Sequence, residues 1–336
     1  STGKPKGTIH IHKSLKNTST YYAKKILKIT SEDIFFSAAK LFFAYGLGNA
    51  LTFPLSVGAT SILSKDRPTV EIVNNKIKHN KVTIFFGVPT LYAAMLNSNL
   101  KPEDFKTLRL SVSAGEALPE NLCNKWSKTI GSNVLDGIGS TEMLHIFISN
   151  YIDLITPGSS GKPVPGYEVK LMKEDNSEAD MNEIGELEVK GPTSAISYWN
   201  KPEKTKATFI GDWVKTGDKY TKDANGIYKY CGRTDDMMKV SGQYVSPFEI
   251  EEALQSHKYV LEAAVVGKKD KDELLKPKAF VVLNDNNNET NLEKELTAHV
   301  KKILTPFKYP RWYKFVSSLP KTATGKIQRY KLRIEK

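Results

Sequence analysis

The chain has 336 residues, 40 % hydrophobic and 26 % charged, a balance that excludes a mostly disordered chain and a fibrous one. Lys and Arg outnumber Asp and Glu by 49 to 37, and the net charge of +12 attracts polyanions: nucleic acid, an anionic membrane surface or a small phosphorylated ligand. The two cysteines, Cys123 and Cys231, exclude a disulfide framework and a cysteine-rich zinc site and suit a reducing compartment, so a cytoplasmic location is expected.

At roughly 100–200 residues per domain the length predicts about two domains. No stretch approaches the roughly 18 apolar residues of a membrane span. Residues 1–31 hold seven lysines and no acid, and residues 299–336 hold eleven Lys or Arg against Glu335 alone. No zinc-finger spacing and no Lys/Arg-Gly-Phe strand signature accompanies that charge, so nucleic acid is not expected as a partner. The opening Ser1-Thr2-Gly3-Lys4-Pro5-Lys6-Gly7 lacks the preceding strand that normally holds a glycine-rich loop. The chain is therefore expected to be the later part of a longer protein. Missing strands would expose sheet edges, so residues 1–336 alone are expected to be poorly active or prone to aggregate.

Residues 34–63 read as buried mixed structure, and 70–78 as an amphipathic helix. The apolar run 82–88, ended by Pro89, suits a buried strand. A helix follows over 90–97, a strand over 108–113 and a helix over 119–129. Such alternation favours an α/β layer with a largely parallel sheet. Beyond about residue 156 turns multiply, and alternating segments at 168–171 and 186–189 read as antiparallel β structure. Past Arg233 come a helix over 247–255, strands over 263–266 and 278–283, and a polar turn over 285–289. A helix over 292–304 and a last strand over 312–316 complete a compact α+β unit.

Five segments carry candidate chemistry. Ser1 to Gly7 is glycine-rich and doubly basic, either a mobile basic loop or a nest of backbone N–H groups for an anion; it is not a Walker A loop. Asp136-Gly137-Ile138-Gly139-Ser140-Thr141-Glu142 reads as a second glycine-rich turn. Its end is either a helix N-cap or a carboxylate placed for Mg²⁺ beside a phosphate. Asp218, in Thr216-Gly217-Asp218, is an ordinary turn residue or an acceptor for two ribose hydroxyls. Arg233, in Gly232-Arg233-Thr234-Asp235-Asp236, either pairs with a neighbouring Asp on the surface or contacts a phosphate or ribose. Pro320-Lys321-Thr322-Ala323-Thr324-Gly325-Lys326 is a solvated basic tail or a loop that delivers Lys326 as a point charge.

The order of these segments, with Gly185-Glu186-Leu187 and Tyr198-Trp199-Asn200-Lys201-Pro202-Glu203-Lys204-Thr205 between them, resembles the adenylate-forming superfamily of acyl-CoA ligases, luciferases and peptide-synthetase adenylation domains. Within it, residues 36–46 and 137–147 look like benzoate–CoA ligases. The resemblance covers essentially the whole chain. It implies an α/β fold: the remainder of a large N-terminal domain with a mixed α/β sheet and a β-barrel-like subdomain, plus a small α+β C-terminal domain. The implied domains are 1–234, which binds AMP and lacks its N-terminal part, and 235–336, mobile and carrying the catalytic lysine.

The resemblance also assigns roles. Lys326 would bridge the substrate carboxylate and the α-phosphate. Ser1, Thr2, Gly3, Lys4 and Lys6 would close over the other phosphates, with Thr141 on the α-phosphate and Glu142 holding Mg²⁺. Gly115, Glu116 and Ala117 would flank the adenine, Asp136 and Gly137 would belong to the same ATP/AMP site, and Asp218 would take the ribose hydroxyls with Arg233 beside them. Phe43, Ala44, Tyr45, Ile138, Gly139, His145 and Ile146 would form a flat apolar slot for one ring, His145 being the evident partner for a polar para substituent. Asp235 would be a hinge that brings in Lys239, Ser241, Gly242, Gln243 and Tyr244 for coenzyme A. Where many relatives carry Gly-Gly-Glu-Asn, this chain has Ser-Gly-Gln-Tyr. The expected activity is an ATP-dependent aryl-CoA ligase that joins a small carboxylate, benzoate or a substituted benzoate, to coenzyme A using ATP and Mg²⁺; the oligomeric state is left open, a homodimer included. The alternatives are a medium-chain or other acyl-CoA synthetase, an adenylation unit that loads a carrier protein, and an anion- or RNA-binding fragment.

Overall fold

A computed structural model describes residues 5–240, 243–284, 291–322 and 327–334. The chain divides into two compact units, one running to Thr216 and resuming over Thr221–Lys229, the other made of Gly217–Tyr220 and the chain from Tyr230 onward.

The first unit is built on a seven-stranded sheet in the order Thr60–Ile62, Ile34–Ser37, Ile84–Gly87, Leu110–Ala114, Val134–Gly139, Ile146–Ser149, Lys162–Pro163. The first five strands are parallel and the last two antiparallel. The central strands are apolar on both faces because both are covered. On one face the helices Val70–Asn80, Pro89–Leu96 and Glu120–Ile130 close a core of Phe36, Phe85, Tyr92 and Trp126. Its polar atoms are satisfied: Trp126 Nε1 donates to Ser111 Oγ at 3.1 Å, and Tyr92 donates to the Val112 carbonyl at 2.8 Å. Thr69 caps the first of these helices, its Oγ1 accepting from the Ile72 amide, and Gly131 ends the third in the left-handed region at φ 78°. Phe35 and Phe86 stack on the other face, where the edge of the Tyr45 ring meets Phe86.

That second face is approached by a helix the sequence does not advertise. His12–Thr18 continues as a π-helical stretch Ser19–Lys24, and a second π-helical stretch, Gly48–Thr52, follows the short helix Ala44–Leu47. Such widened turns often occur at functional positions. The amino ends of the strands are tied by one ion pair. Arg109 grips Asp33 with two bonds of 2.8 Å, while Asp33 also accepts from the Thr30 amide and the Thr83 hydroxyl. These bonds outweigh the burial that would raise the Asp33 carboxyl and hold it below the usual range.

The expected glycine-rich turn over 136–142 requires correction. Val134 to Gly139 is a strand, and the turn starts only at Ser140. The glycines are there because the neighbouring strand crowds in: a Cβ on Gly137 would lie 2.7 Å from the Ile148 carbonyl oxygen, and one on Gly139 2.6 Å from that of His145. Further along, Glu168–Met172 pairs antiparallel with Gly185–Lys190.

In the second unit, Val260–Lys269 and Leu275–Leu283 pair antiparallel, and Trp312–Phe315 runs parallel to the latter. Helices Pro247–Gln255 and Leu292–Ile303 pack on one face around Ile250, Leu254, Leu296 and Val300. A last helix, Arg329–Ile334, packs Leu332 on the other face against Ala264 and Phe280. Arg329 anchors it by donating to both carboxylate oxygens of the buried Glu251, at 3.2 and 2.6 Å. The polar turn expected over 285–289 lies outside the described residues.

Candidate active site

In chain order the parallel strands run second, first, third, fourth, fifth across the sheet. The direction of winding thus reverses between Ile34–Ser37 and Ile84–Gly87. In open α/β sheets the ligand crevice lies beyond the carboxyl ends of the strands at such a reversal. The chain leaving those ends carries most of the candidate residues of this unit. Phe43, Ala44 and Tyr45 follow the first strand, Gly115, Glu116 and Ala117 the fourth, and Ser140, Thr141 and Glu142 the fifth.

Glu142 is the best-engaged of these. Its Oε1 accepts from the Tyr198 hydroxyl at 2.5 Å and lies 3.7 Å from the Lys6 ammonium, which also donates to the Tyr198 oxygen at 3.2 Å. Burial pushes the Glu142 carboxyl up. The Tyr198 hydrogen bond, its own backbone amide, the Lys6 charge and Ser140 outweigh that and leave it below the usual carboxylate range. The backbone knits the same three segments. Thr8–Ile9 pairs antiparallel with Ser197–Tyr198, the Trp199 amide donates to the Gly7 carbonyl at 2.7 Å, and the Ala195 amide donates to the Glu142 carbonyl at 2.8 Å. His10 Nε2 meets the Thr141 carbonyl oxygen at 2.7 Å, and Thr141 itself is exposed. An ionised carboxylate beside a basic loop fits a divalent cation that takes one protein oxygen and completes its shell from phosphates and water. Among the described residues no cluster of three or more His, Cys, Asp or Glu is placed to hold a metal alone.

Asp136 lies on the floor below. Leu118 donates its amide to Asp136 Oδ2 at 3.4 Å, which folds the 115–117 segment over the strand end, and Ala114 is in register with Gly137. Burial raises the Asp136 carboxyl well above its ordinary range.

His145 defines the apolar side. It is 3 % exposed and ringed by Tyr22, Tyr45 and Phe53, with centroids 5.2, 5.6 and 4.6 Å away. Its Nε2 faces Asn49 Oδ1 at 3.0 Å. Burial pushes the imidazole down to about 3, so the ring is neutral at pH 7. Its Nδ1 and Asn49 Nδ2 are buried polar atoms without a hydrogen-bond partner. Gly48 makes room for this ring: a Cβ there would lie 2.5 Å from His145 Cδ2. Tyr45 directs its hydroxyl to the Val112 carbonyl at 3.2 Å. Gly139 pairs with the buried Ile146, and the half-buried Ile138 with Ile148. The structure thus brings Tyr45, Gly139, His145 and Ile146 together, with Phe43 and Ala44 at the start of the helix that carries Tyr45.

The second unit holds the remaining candidates. Arg233 Nη1 donates to Asp218 Oδ1 at 2.9 Å, so the expected ribose acceptor and the expected Arg are paired with each other. Gly217, at φ 71°, permits this approach, since a Cβ there would sit 2.7 Å from Arg233 Nη2. Asp235 is exposed and its carbonyl accepts from Arg333, which also pairs with Asp236. Lys239 stands opposite Tyr244 in a two-stranded ribbon in which Val240 faces Gln243. Ser241 and Gly242, between those strands, lie outside the described residues, as do Ser1, Thr2, Gly3, Lys4 and Lys326. Tyr198 contacts the candidate Glu142, and Asn49, Tyr22 and Phe53 contact the candidate His145; sequence reasoning assigned none of the four. Only Tyr198 left a signal, by standing inside one of the quoted motifs.

A family model described as AMP-binding enzyme matches residues 1–199, and one described as AMP-binding enzyme C-terminal domain matches residues 249–326. The chain is similar to the benzoate–CoA ligase of Thauera aromatica, at 56 % identity over 99 % of this chain and 64 % of that protein. It is similar to a crystal structure of a benzoate CoA ligase from Burkholderia xenovorans LB400, with TM-score 0.94 and 52 % identity over 98 % of this chain and 67 % of that one. The anthranilate CoA ligase AuaEII in complex with anthranoyl-AMP matches with TM-score 0.95 and 45 % identity over 99 % of this chain and 65 % of that one. The chain therefore spans somewhat under two thirds of the length of the curated relatives it matches.

Proposed function

Since this chain belongs to the AMP-binding enzyme family, we propose that it supplies the nucleotide site, the aryl slot and the C-terminal domain of an ATP-dependent aryl-CoA ligase. The reaction joins benzoate, or a substituted benzoate, to coenzyme A. A carboxylate is a poor electrophile with a poor leaving group. Its oxygen attacks the α-phosphorus of ATP, the bond to diphosphate breaks, and an aroyl-adenylate results. The thiol sulfur of coenzyme A then attacks the acyl carbon, its proton is lost, and AMP departs with the original carboxylate oxygen. No protein nucleophile is needed; the residues position groups and offset charge.

In this reading Thr2, Lys4 and Lys6 hold the β- and γ-phosphates and Thr141 the α-phosphate. Lys326 offsets charge where carboxylate and phosphorus meet. Glu142, held ionised, takes a Mg²⁺ ion, which when bound neutralises phosphate charge as diphosphate forms. Gly115, Glu116 and Ala117 border the adenine, Asp136 and Gly137 complete the nucleotide site, and Asp218 with Arg233 takes the ribose. Residues 235–336 act as the mobile domain, turning at Asp235 between the two steps to replace Lys326 with the Lys239–Tyr244 ribbon.

The observation that supports an aryl acid best is the neutral His145 ring among Tyr22, Tyr45 and Phe53, three residues after Glu142. Flat walls without charge suit a neutral ring, and the unpartnered Nδ1 and Asn49 amide can pair a small polar substituent. Exchange of labelled diphosphate into ATP by the intact protein, over benzoate, hydroxybenzoates and a medium-chain fatty acid, tests this. Benzoate and its para-hydroxy analogue are expected to support the fastest exchange; faster exchange with the fatty acid would replace the aryl reading with an aliphatic one.

A further inference from the structure

Two features of the Lys6–Tyr198–Glu142 group go beyond holding an ion at one carboxylate. First, Tyr198 is 4 % exposed, and its phenol spends its proton on Glu142 over 2.5 Å while accepting from Lys6. A hydroxyl that donates to an ionised carboxylate makes one of the stronger hydrogen bonds available to a protein. Secondly, Tyr198 is itself fixed from three sides. Its amide donates to Thr205 Oγ1 at 3.0 Å, its strand pairs with Thr8–Ile9, and its ring meets the edge of Phe209 at 5.4 Å. The Lys6 ammonium lies 4.4 Å from the centre of the same ring and 3.7 Å from Glu142, which puts a positive charge beside the carboxylate.

We propose that Tyr198 is a positioning residue: its hydroxyl fixes the Glu142 carboxylate for the divalent cation that travels with the nucleotide, and its ring and oxygen dock Lys6 on that carboxylate until the cation replaces it. The inference rests on the nucleotide site argued above and adds a group that acts through Glu142. The rigid Tyr198 sets where the carboxylate points, and the Lys6 ammonium offsets its charge in the meantime. A cation held by Glu142 would supply that charge, and Lys6 would then be free to reach the phosphates.

Tyr198→Phe keeps the ring against Phe209 and beneath Lys6 and removes only the hydroxyl. Groups that orient a metal ligand typically contribute about 10–100-fold to metal affinity. The intact protein and its variants are titrated calorimetrically with Mn²⁺·ATP and, in the presence of a chelator, with ATP alone. The expected result is at least about tenfold weaker Mn²⁺·ATP binding by Tyr198→Phe, with ATP alone changed less than about twofold. In a Glu142→Gln background the same substitution should have no further effect, because Tyr198 acts through Glu142. Equal weakening of both titrations, no weakening of either, or additive effects of the two substitutions would overturn the proposal while leaving the nucleotide site in place. Failure of the unsubstituted protein to bind either form would overturn the nucleotide site and the proposal together.

Discussion

Replacing His145 by Asn should flatten the acid limb of the protein's stability profile. The folded-state value of this imidazole is depressed to about 3, against an ordinary 6.5. The stability it confers by remaining neutral is complete above pH 6.5 and is lost as the pH falls toward the folded value, because the unfolded chain gains a proton that the folded chain refuses. At pH 7 the group contributes almost no pH dependence. At pH 5 the unfolded imidazole is nearly all charged, and linkage gives a loss of about 2 kcal/mol between the two pH values. That figure does not depend on where below pH 4 the folded ring titrates. His145→Asn removes the titration and keeps a polar side chain toward Asn49. Urea unfolding at pH 7 and pH 5, followed by tryptophan fluorescence to which the buried Trp126 of the same unit contributes, gives the two stabilities. Other groups titrate in both proteins, so the decisive quantity is the difference between their pH 7-to-5 losses. A difference of about 2 kcal/mol is expected. Equal losses would mean that the folded ring takes up its proton between pH 7 and pH 5 as the unfolded one does, and that burial does not hold His145 neutral.

Three further outcomes are expected. Arg109→Ala strands the Asp33 carboxylate, only 4 % exposed, at the amino ends of the strands and should cost about 3 kcal/mol in unfolding free energy; that is the low end for a buried pair because the Arg109 side is 37 % exposed, and an unchanged denaturation midpoint would contradict it. Glu251→Ala leaves the Arg329 guanidinium without its carboxylate and should loosen the Arg329–Ile334 helix, read as faster amide exchange there than in Leu292–Ile303. Lys326→Ala should slow adenylate formation by about 10²–10³ or more, as removal of a well-placed charge stabiliser does. Thioester formation from preformed aroyl-adenylate should be largely kept, and equal loss in both half-reactions would contradict the turning of the C-terminal domain.

The sheet and the helices on its Trp126 side are legible in the sequence because their residues follow simple periods. The Ile84–Gly87 strand is apolar throughout and ends at a proline, and Glu120–Ile130 buries Cys123, Trp126 and Ile130 at helical spacing. The helix over His12–Thr18 escapes notice because its buried residues are Ser14, Asn17 and Thr18, followed by Ser19, and the apolar Tyr22 and Ala23 come only in the π-helical continuation. Three of those polar groups are absorbed locally or by distant backbone: Thr18 and Ser19 donate to the Leu15 carbonyl, and Asn17 to that of Pro192. The Arg329–Ile334 helix is tied by ion pairs to Glu251 and Asp236, which no periodicity announces. In the site, residues such as Lys6, Thr141 and Glu142 show themselves by type and spacing. Tyr198 stands inside a motif, but its pairing with a loop 192 residues earlier does not show in the sequence, and neither does the contact of His145 with an Asn 96 residues before it. Contacts at such separations are products of the fold and leave no local pattern.

The central claim is that a carboxylate oxygen of an aromatic acid becomes bonded to the α-phosphorus of ATP. Benzoate labelled with ¹⁸O in its carboxyl group, incubated with ATP, Mg²⁺, coenzyme A and the intact protein, tests it directly by mass spectrometry of the products. One ¹⁸O atom per turnover should appear in AMP and none in diphosphate. Label in diphosphate or inorganic phosphate, or unlabelled AMP formed alongside benzoyl-CoA, would contradict the account.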